Sequence, residues 1–443
     1  MQEGSWLPVR RLREIPPAVW ALGFVSLLMD TSSEIIHALL PVYLVTVLGT
    51  SMLTVGFIEG IAEATASITK VFSGALSDWL GKRKFLAVIG YGLAAFTKPV
   101  FPLASSIGWL VLARFIDRVG KGIRGAPRDA LVADIAPTHL RGASFGLRQS
   151  LDTVGAFLGP SLAIGLMWLT ANNFQAVFWF AVAPAFLALG LLLFAVHEPE
   201  RPPHLRKVRS PLSFAELKHL GPAYWWVVSI AVVFTLGRFS EAFLILRAQA
   251  VGLPLVLVPL VLVLMNVVYA LTAYPAGVLS DHANRTVILG LGFSFLVAAD
   301  LVLAFTSGIG GVAAGVALWG LHMGFTQGLL ASLVADTAPP ELRGTAYGIF
   351  NLLGGLSLRV FSPERFGIGS GLRPPSLRER RSLQLLFLVL PLSSAFRRPL
   401  AKRINPESCI SMAITDVWSG SLADITARSR HVRLAPDSGH SSV

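Results

Sequence analysis

The chain has 443 residues, of which 53% are hydrophobic and 14% are charged, and its mean hydropathy is +0.65. Soluble domains carry about a quarter charged residues, so this composition excludes an ordinary soluble protein and predicts a membrane protein. The net charge of +12 does not indicate nucleic-acid binding, because much of the excess falls after residue 357 and most other cations outside the apolar runs lie at alternate run ends. The single cysteine, Cys409, excludes a disulfide framework and a cysteine-based metal site.

Ten long apolar runs follow one another along the chain, and an eleventh begins near Gly344. A bilayer core of about 30 Å requires about 20 apolar residues per helix, so each run predicts a membrane-spanning helix. Spans 1 to 10 cover residues 19–48, 52–76, 85–104, 107–131, 143–169, 174–196, 223–246, 254–279, 286–306 and 309–334.

The charges between the spans predict their orientation. The gaps after spans 2, 4 and 6 are basic, whereas the gaps after spans 1, 3 and 5 carry no Lys or Arg. The positive-inside rule therefore predicts a multi-pass protein of the cytoplasmic (inner) membrane, lying in the lipid bilayer with its N-terminus in the cytoplasm. Arg10, Arg11 and Arg13 precede span 1 without a small-residue cleavage site, so span 1 is expected to be retained.

The domain organisation follows from one loop and one break in the pattern. The proline-rich, charged loop 197–222 is predicted to be a cytoplasmic linker between an N-terminal six-helix bundle, 1–196, and an incomplete C-terminal bundle, 223–357. After Leu356 the apolar pattern stops early and a basic, Arg- and Ser-rich tail follows, 358–443. A frameshift that replaces spans 11 and 12 is the favoured explanation, and a disordered cytoplasmic tail is the alternative.

The two halves of the chain repeat each other. Gly74–Asp78 returns as Gly277–Asp281 after 203 residues. Three more matches are offset by 202 residues: Val132–Pro137 with Val334–Pro339, Leu140–Gly142 with Leu342–Gly344, and Gly146 with Gly348. This spacing predicts an all-α polytopic membrane protein with two pseudo-repeated six-helix bundles around a central cavity, a 12-span plan whose second bundle is truncated after about 10–11 spans.

Two motifs resemble those of a known family. The stretch from Gly74 to Lys84 resembles the loop signature of the major facilitator superfamily, G-x-L-[SA]-D-R-x-G-[RK]-[RK], with Trp79 in place of the usual basic residue. In span 5, Gly146, Gly155, Gly159 and Pro160 resemble the glycine–proline signature of the drug:proton antiporter branch of that family. The resemblance covers residues 17–357. It implies a transporter, expected to be monomeric, that works by alternating access on a small-molecule substrate, with protons as the coupling partner and no cofactor.

The resemblance also implies gating residues at the cytoplasmic ends of the helices. Asp78 ends a helix whose next turn is cationic, and Asp134 ends span 4 close to Arg141. In the family such carboxylates and arginines latch the helix ends in the outward-facing state; the alternative is an ordinary basic loop. The candidate gating residues are Gly74, Asp78, Gly81, Lys82, Arg83, Asp134, Arg141, Asp281, Arg285, Asp336 and Arg343.

Span 4 carries a row of charges at helical spacing. Arg114, Asp117, Lys121, Arg124 and Arg128 are separated by steps of 3, 4, 3 and 4, so they share one helix face. Each charge at the bilayer centre costs roughly 2.5–3.5 kcal/mol, so this face must meet water or partners. Either the charges pair off and fix helix packing, or some face the cavity and attract an anion. The resemblance favours a role for Arg114 in proton coupling.

The candidate substrate or proton-coupling residues come from four spans. Asp30, Glu34 and His37 lie on one face of span 1 and could carry protons, although His37 alone is better explained as a structural histidine. The full set is Asp30, Glu34, Glu59, Glu63, Arg114, Asp117, Lys121, Arg124 and Asp152. The span 5 glycines either bend a helix at the moving interface or only allow close packing.

The favoured function is a secondary active transporter that exports a small organic solute in exchange for protons. One alternative is transport of an anionic metabolite or metal chelate, which the cationic row of span 4 favours. An alternative of another class is a membrane sensor or scaffold that transports nothing. No nucleophile–base pair and no metal-ligand cluster is evident, so an enzyme, a catalytic residue and a metal site are not expected.

Overall fold

A computed structural model describes residues 11–200, 214–238, 241–254, 257 and 259–360 of the chain. The predicted tail 358–443 therefore lies almost entirely outside the described residues, as does part of the predicted linker. The described part is helical. Its long helices are α1 (Pro17–Thr46), α2 (Met52–Leu80), α3 (Arg83–Thr97), α4 (Ile107–Ile135), α5 (Arg141–Leu169), α6 (Phe174–Ala195), α7 (Pro222–Gly237), α8 (Pro259–His282), α9 (Arg285–Phe305), α10 (Ile309–Thr337) and α11 (Arg343–Val360).

Three short helical segments accompany them. Val100–Leu103 continues the direction of span 3 beyond α3, Phe214–Leu217 precedes α7, and Ala242–Ala250 follows it. Among the described residues, seven helices are long and apolar enough to cross a membrane. The predicted spans are confirmed as helices. Helix α4 is not one of the seven although it has 29 residues, because its charged side chains lower its hydropathy.

Span 7 differs from its prediction as one continuous helix over 223–246. Helix α7 ends at Gly237, and Arg238 has an extended backbone with φ −88° and ψ 126°. The apolar pattern did not reveal this break, because apolar residues resume at Ala242 after the short polar stretch that contains Arg238 and Glu241. The break lies beside Arg238, whose guanidinium donates to the sulfur of Met323 in α10 at 2.6 Å. A discontinuous helix of this kind is a common feature of transporter interiors.

Helices pack closely where small residues meet. A Cβ on Gly90 of α3 would collide with the α4 backbone at Arg124, and one on Gly122 of α4 would collide with Thr69 of α2. Such close approach maximises van der Waals contact between helices that cannot use the hydrophobic effect inside lipid. These contacts hold α2, α3 and α4 together as one group.

Helix α5 joins the two halves of the chain. Gly155 and Gly159 pack against the backbone of α1, at Leu27 and Thr31, whereas Gly146 packs against α8 at Ala273. The equivalent contact in the repeat joins α2 to α11, where Gly348 packs against Lys70 and Val71. Helix α5 stays helical through Pro160. These glycines therefore act as packing positions in this structure, and their role in bending remains a prediction.

Candidate functional site

One end of the helices carries most of the candidate gating residues, and we call it the basic end. It is defined by Asp78, Arg83, Arg141, Arg285 and Arg343. At this end Asp78 of α2 accepts three hydrogen bonds from the start of α11. They come from the backbone N–H of Gly344 at 3.0 Å, the backbone N–H of Thr345 at 2.6 Å and the Thr345 hydroxyl at 2.8 Å.

The repeat places the same contact on the other side. Asp281 of α8 accepts the backbone N–H of Gly142 at 2.7 Å and that of Ala143 at 2.8 Å, both in the first turn of α5. Leu140, the N-cap residue of α5, offers no side-chain cap of its own. The first N–H groups of a helix have no partner within it, and a carboxylate there also meets the positive end of the helix dipole. Each half therefore caps a helix of the other half.

Two further carboxylates connect arginines from both halves. Asp134 of α4 accepts from Arg83 of its own half and, at 2.7 Å, from Arg343 of α11. Asp336 of α10 accepts from Arg285 of its own half and, at 2.5 Å, from Arg141 of α5. The sequence placed Asp134 next to Arg141. The structure corrects this pairing, because the two arginines that follow spans 4 and 10 exchange partners across the interface.

The remaining gating candidates have different surroundings. Gly81 ends α2 with a φ of 66°, a left-handed conformation that favours glycine. Lys82 is exposed and lies apart from the contacts between the halves. Glu198 was missed by sequence reasoning: its carboxylate accepts the backbone N–H of Arg83 at 2.5 Å and that of Lys84 at 3.2 Å, and so caps α3.

A second group of charges lies inside the first half of the chain. Arg114 of α4 forms a two-pronged contact with Glu59 of α2, from Nε at 3.1 Å and from Nη2 at 2.6 Å. The same Glu59 contacts His37 of α1 at 3.0 Å, and His37 lies 3.6 Å from Glu34. Arg114 is thus paired. Of the two alternatives for the charges of α4, Arg114 follows the first, since its planar guanidinium bonds a carboxylate in parallel, and its role in proton coupling stays a prediction.

Asp117 is the most enclosed acid of α4. It accepts from Lys98 at 2.8 Å and lies 3.4 Å from Arg118 and 3.9 Å from Arg114. Arg118 in turn donates to Glu63 of α2 at 2.7 Å. Lys98 and Arg118 were not among the candidates. Their signal was present in the sequence, since a lysine inside the apolar run of span 3 is itself costly unless it is paired.

Asp30 of α1 and Asp152 of α5 lie where the two helices pack together, close enough for each charge to act on the other. Asp30 lies 4.0 Å from Arg124, and Asp152 lies 3.4 Å from Arg128 and 3.6 Å from Arg148. The structure thus brings two proton candidates from different spans together. Lys121, also a candidate, has no salt bridge within the described part of the chain.

The second half has fewer embedded charges among its described residues. His322 is buried and contacts the carbonyl oxygen of Gly292 at 2.9 Å, which fits a structural histidine. Arg238 lies near Glu241 at the break after α7. The interior charge is therefore concentrated on α1 to α5.

Comparison with known proteins agrees with this architecture. The Major Facilitator Superfamily profile matches residues 22–362. An uncharacterized MFS-type transporter of Methanocaldococcus jannaschii is 32% identical over 351 residues, which cover 78% of this chain and 86% of that protein. The quinolone resistance protein NorA of Staphylococcus aureus is 27% identical over 218 residues, covering 49% of this chain and 54% of NorA.

Solved structures show the same fold. The transporter FucP in the outward conformation aligns with a TM-score of 0.66 at 17% identity, covering 86% of this chain and 98% of FucP. The human organic anion transporter MFSD10 aligns with a TM-score of 0.56 at 20% identity, covering 77% of this chain and 92% of that protein. With its repeated halves, its helical fold and these relatives, the chain belongs to the Major Facilitator Superfamily.

Proposed function

We propose that the chain is a proton-coupled secondary transporter that exports a small organic solute by alternating access. The observation that carries this proposal is the exchanged capping at the basic end. There Asp78 caps α11 and Asp281 caps α5, so each half holds the other through backbone N–H groups. Under the positive-inside rule this end faces the cytoplasm. A transporter needs such a contact, because it must close one end of its passage while the other is open.

The exchanged caps also explain how the same molecule can open. The bonds at the basic end join separate helices and involve side chains and helix ends only. The two halves can therefore move apart there as bodies without breaking a helix. Separation breaks both caps together with the contacts that Asp134 and Asp336 make to arginines of the other half. Opening is therefore cooperative across the interface, which suits a two-state alternation.

Proton coupling is assigned in this proposal to Asp30 and Asp152. Their carboxyl groups come from α1 and α5 and lie close enough for each charge to act on the other, which suits transfer of a proton between them. The charged groups around them are Lys121, Arg124, Arg128 and Arg148. Helix α5 also carries the capped end at Gly142. A change of charge at Asp152 therefore acts on the same helix whose first turn is capped by Asp281.

Export as the direction of transport rests on the span 5 glycines and on one relative. NorA is named for quinolone resistance, and it aligns with about half of this chain. A fluorescent quinolone is therefore the first probe to test. We also propose that the transporter has a first bundle, residues 1–196, which the linker 197–222 joins to the second bundle.

The test is proton and quinolone movement in liposomes that contain the full chain. We expect an imposed pH gradient to drive quinolone flux and a dye for internal pH to report coupled proton movement. Asp30→Asn and Asp152→Asn each remove one titratable carboxyl group of the pair, so each should reduce the gradient-dependent component at least tenfold. The matched control is Glu14→Gln, an exposed carboxylate before α1.

Three results would contradict parts of the proposal. Unchanged proton movement in both Asn variants would show that the Asp30–Asp152 pair is structural. Flux without dependence on the pH gradient would exclude proton coupling. If neither protons nor any solute moves, the scaffold alternative would replace the transporter.

A further inference from the structure

Nearly every cation inside the first half of the chain has a carboxylate partner. We consider the embedded residues of α1 to α5, away from the basic end. Six of their cations form salt bridges: Lys98, Arg114, Arg118, Arg124, Arg128 and Arg148. Lys70 of α2 and Lys121 of α4 do not. In the described part of the chain, neither ammonium group has a hydrogen bond or a salt bridge.

The two lysines are neighbours. Helices α2 and α4 approach closely at Gly122, and the stem of Lys70 lies against Gly125, where a Cβ would be 3.3 Å from its Cε. The charge of Lys121 is close enough to act on that of Lys70. Both side chains are half-buried. Gly125 lies one turn after Lys121 on α4, so the two positive charges sit on neighbouring turns of facing helices, without a salt bridge in the described residues.

The charge balance of this region is also positive. Its embedded cations are Lys70, Lys98, Arg114, Arg118, Lys121, Arg124, Arg128 and Arg148, and its carboxyl groups are Asp30, Glu34, Glu59, Glu63, Asp117, Asp129 and Asp152. These are eight cations against seven carboxyl groups. An uncompensated charge is costly at membrane depth, so an anion that enters the passage would be strongly favoured.

We propose that Lys70 and Lys121 bind an oxyanion, the carboxylate or phosphate group of the transported solute. This inference rests on the proposed transport function and names its substrate class. Each ammonium offers three donors on a flexible stem, which suits an oxyanion presented from the passage. A further donor lies one turn away on the same face as Lys121: Nη1 of Arg124 is buried and has no hydrogen-bond partner in the described residues.

The first experiment measures binding without transport. The full chain in nanodiscs of phosphatidylcholine is unfolded by heat in chloride, inorganic phosphate or succinate at equal ionic strength. We expect phosphate or succinate to raise the midpoint temperature by about 2–4 °C when its concentration is well above its Kd. Lys70→Gln and Lys121→Gln should each lose this shift. Lys218→Gln, which changes an exposed lysine outside the spans, should keep it.

The variants also separate binding from folding. Because Lys70 and Lys121 repel each other and lack partners, either Gln variant should unfold in chloride at the same temperature as the wild type or above it. Lys98→Gln, which breaks a buried pair, should unfold earlier. If Lys70→Gln and Lys121→Gln are destabilised as much as Lys98→Gln, the two lysines are structural and the inference is overturned. The absence of any oxyanion shift in the wild type would overturn it as well.

Two further arms identify the source of the anion and the link to transport. Nanodiscs with added phosphatidylglycerol test whether the two lysines bind the phosphate group of a lipid. A shift seen only with that lipid, and not with soluble oxyanions, would overturn a solute site. The transport assay is run on the same variants. Loss of gradient-driven flux with a retained oxyanion shift would contradict the proposed function alone, whereas normal flux of phosphate or succinate in Lys121→Gln would contradict this inference alone.

Discussion

Cationic side chains in the interior are paired mainly with carboxylates from neighbouring helices. Lys98 and Asp117 are the most enclosed pair, with side chains 1% and 3% exposed and 2.8 Å between Nζ and Oδ1. Such a pair gains little over an apolar pair of the same size, but the loss of one partner leaves an uncompensated charge in a low-dielectric interior. Replacing both residues by apolar ones therefore costs little stability, whereas replacing only one of them costs much.

We therefore predict that Lys98→Met lowers the free energy of unfolding by about 3–5 kcal/mol, since Asp117 then loses its closest cation. The measurement is unfolding of the purified chain in mixed micelles. Lys218→Met, at an exposed lysine, is the control and should change stability by less than about 0.5 kcal/mol. A loss for Lys98→Met no larger than that of the control would show that Arg114 and Arg118 already compensate Asp117.

Sequence reasoning found which residues are charged inside the membrane but not how they pair. The spacing on α4 predicted one charged face, and α4 does bring its charges to α1, α2 and α5. Lys70 and Lys98 were missed because they reach the charged face of α4 from other helices, and Arg118 was missed because it lies on α4 just beside the strict row. Pairing across helices depends on packing, which a single sequence does not contain. The repeat, by contrast, was visible, because both copies keep the same residues at the same offset.

At the scale of helices, the contact between α2 and α11 depends on the absence of side chains. A Cβ on Gly74 would collide with the backbone carbonyl of Gly344, and backbone cannot move aside as a flexible side chain can. The repeated contact between α5 and α8 has the same form, with Gly277 against Gly142. The glycine of the loop signature is thus explained by a close approach of two backbones, which the sequence pattern alone did not specify.

Gly74→Ala is predicted to force α2 and α11 apart and to weaken closure of the basic end by about 1–3 kcal/mol. Opening can be measured as maleimide labelling of Ser280→Cys, a buried position beside Gly142, in a Cys409→Ser background. The matched control is Gly92→Ala in α3, where nothing lies within 4 Å of an added Cβ. Equal labelling rates in the two alanine variants would mean that the helices tolerate the methyl group without moving.

For the whole molecule, the two caps are expected to act as one device, because the proposed alternating access moves the two halves as bodies. Asp78→Asn removes the charge from three hydrogen bonds to α11, a loss of about 2 kcal/mol or about thirtyfold in the ratio of open to closed states. We predict that this variant speeds labelling of Ser280→Cys at the other cap by up to that factor. Expression should be unaffected, and transport should be slower.

The control for this prediction is Glu341→Gln, which removes an acidic side chain at the same end of the molecule. It lies in the turn before α11, outside the two caps. Faster labelling in both variants would indicate a general charge effect, and unchanged labelling in Asp78→Asn would show that the caps open independently. The combination Asp78→Asn/Asp281→Asn should label faster than either single variant.

The exchanged caps have one consequence for the solvent. When the halves part in the proposed cycle, two carboxylates and the first N–H groups of two helices lose their partners in the other half at the same moment, and water takes the place of those partners. Each such opening event at the basic end therefore takes up water molecules. Osmotic conditions on that side of the membrane would thereby enter the energetics of the proposed cycle.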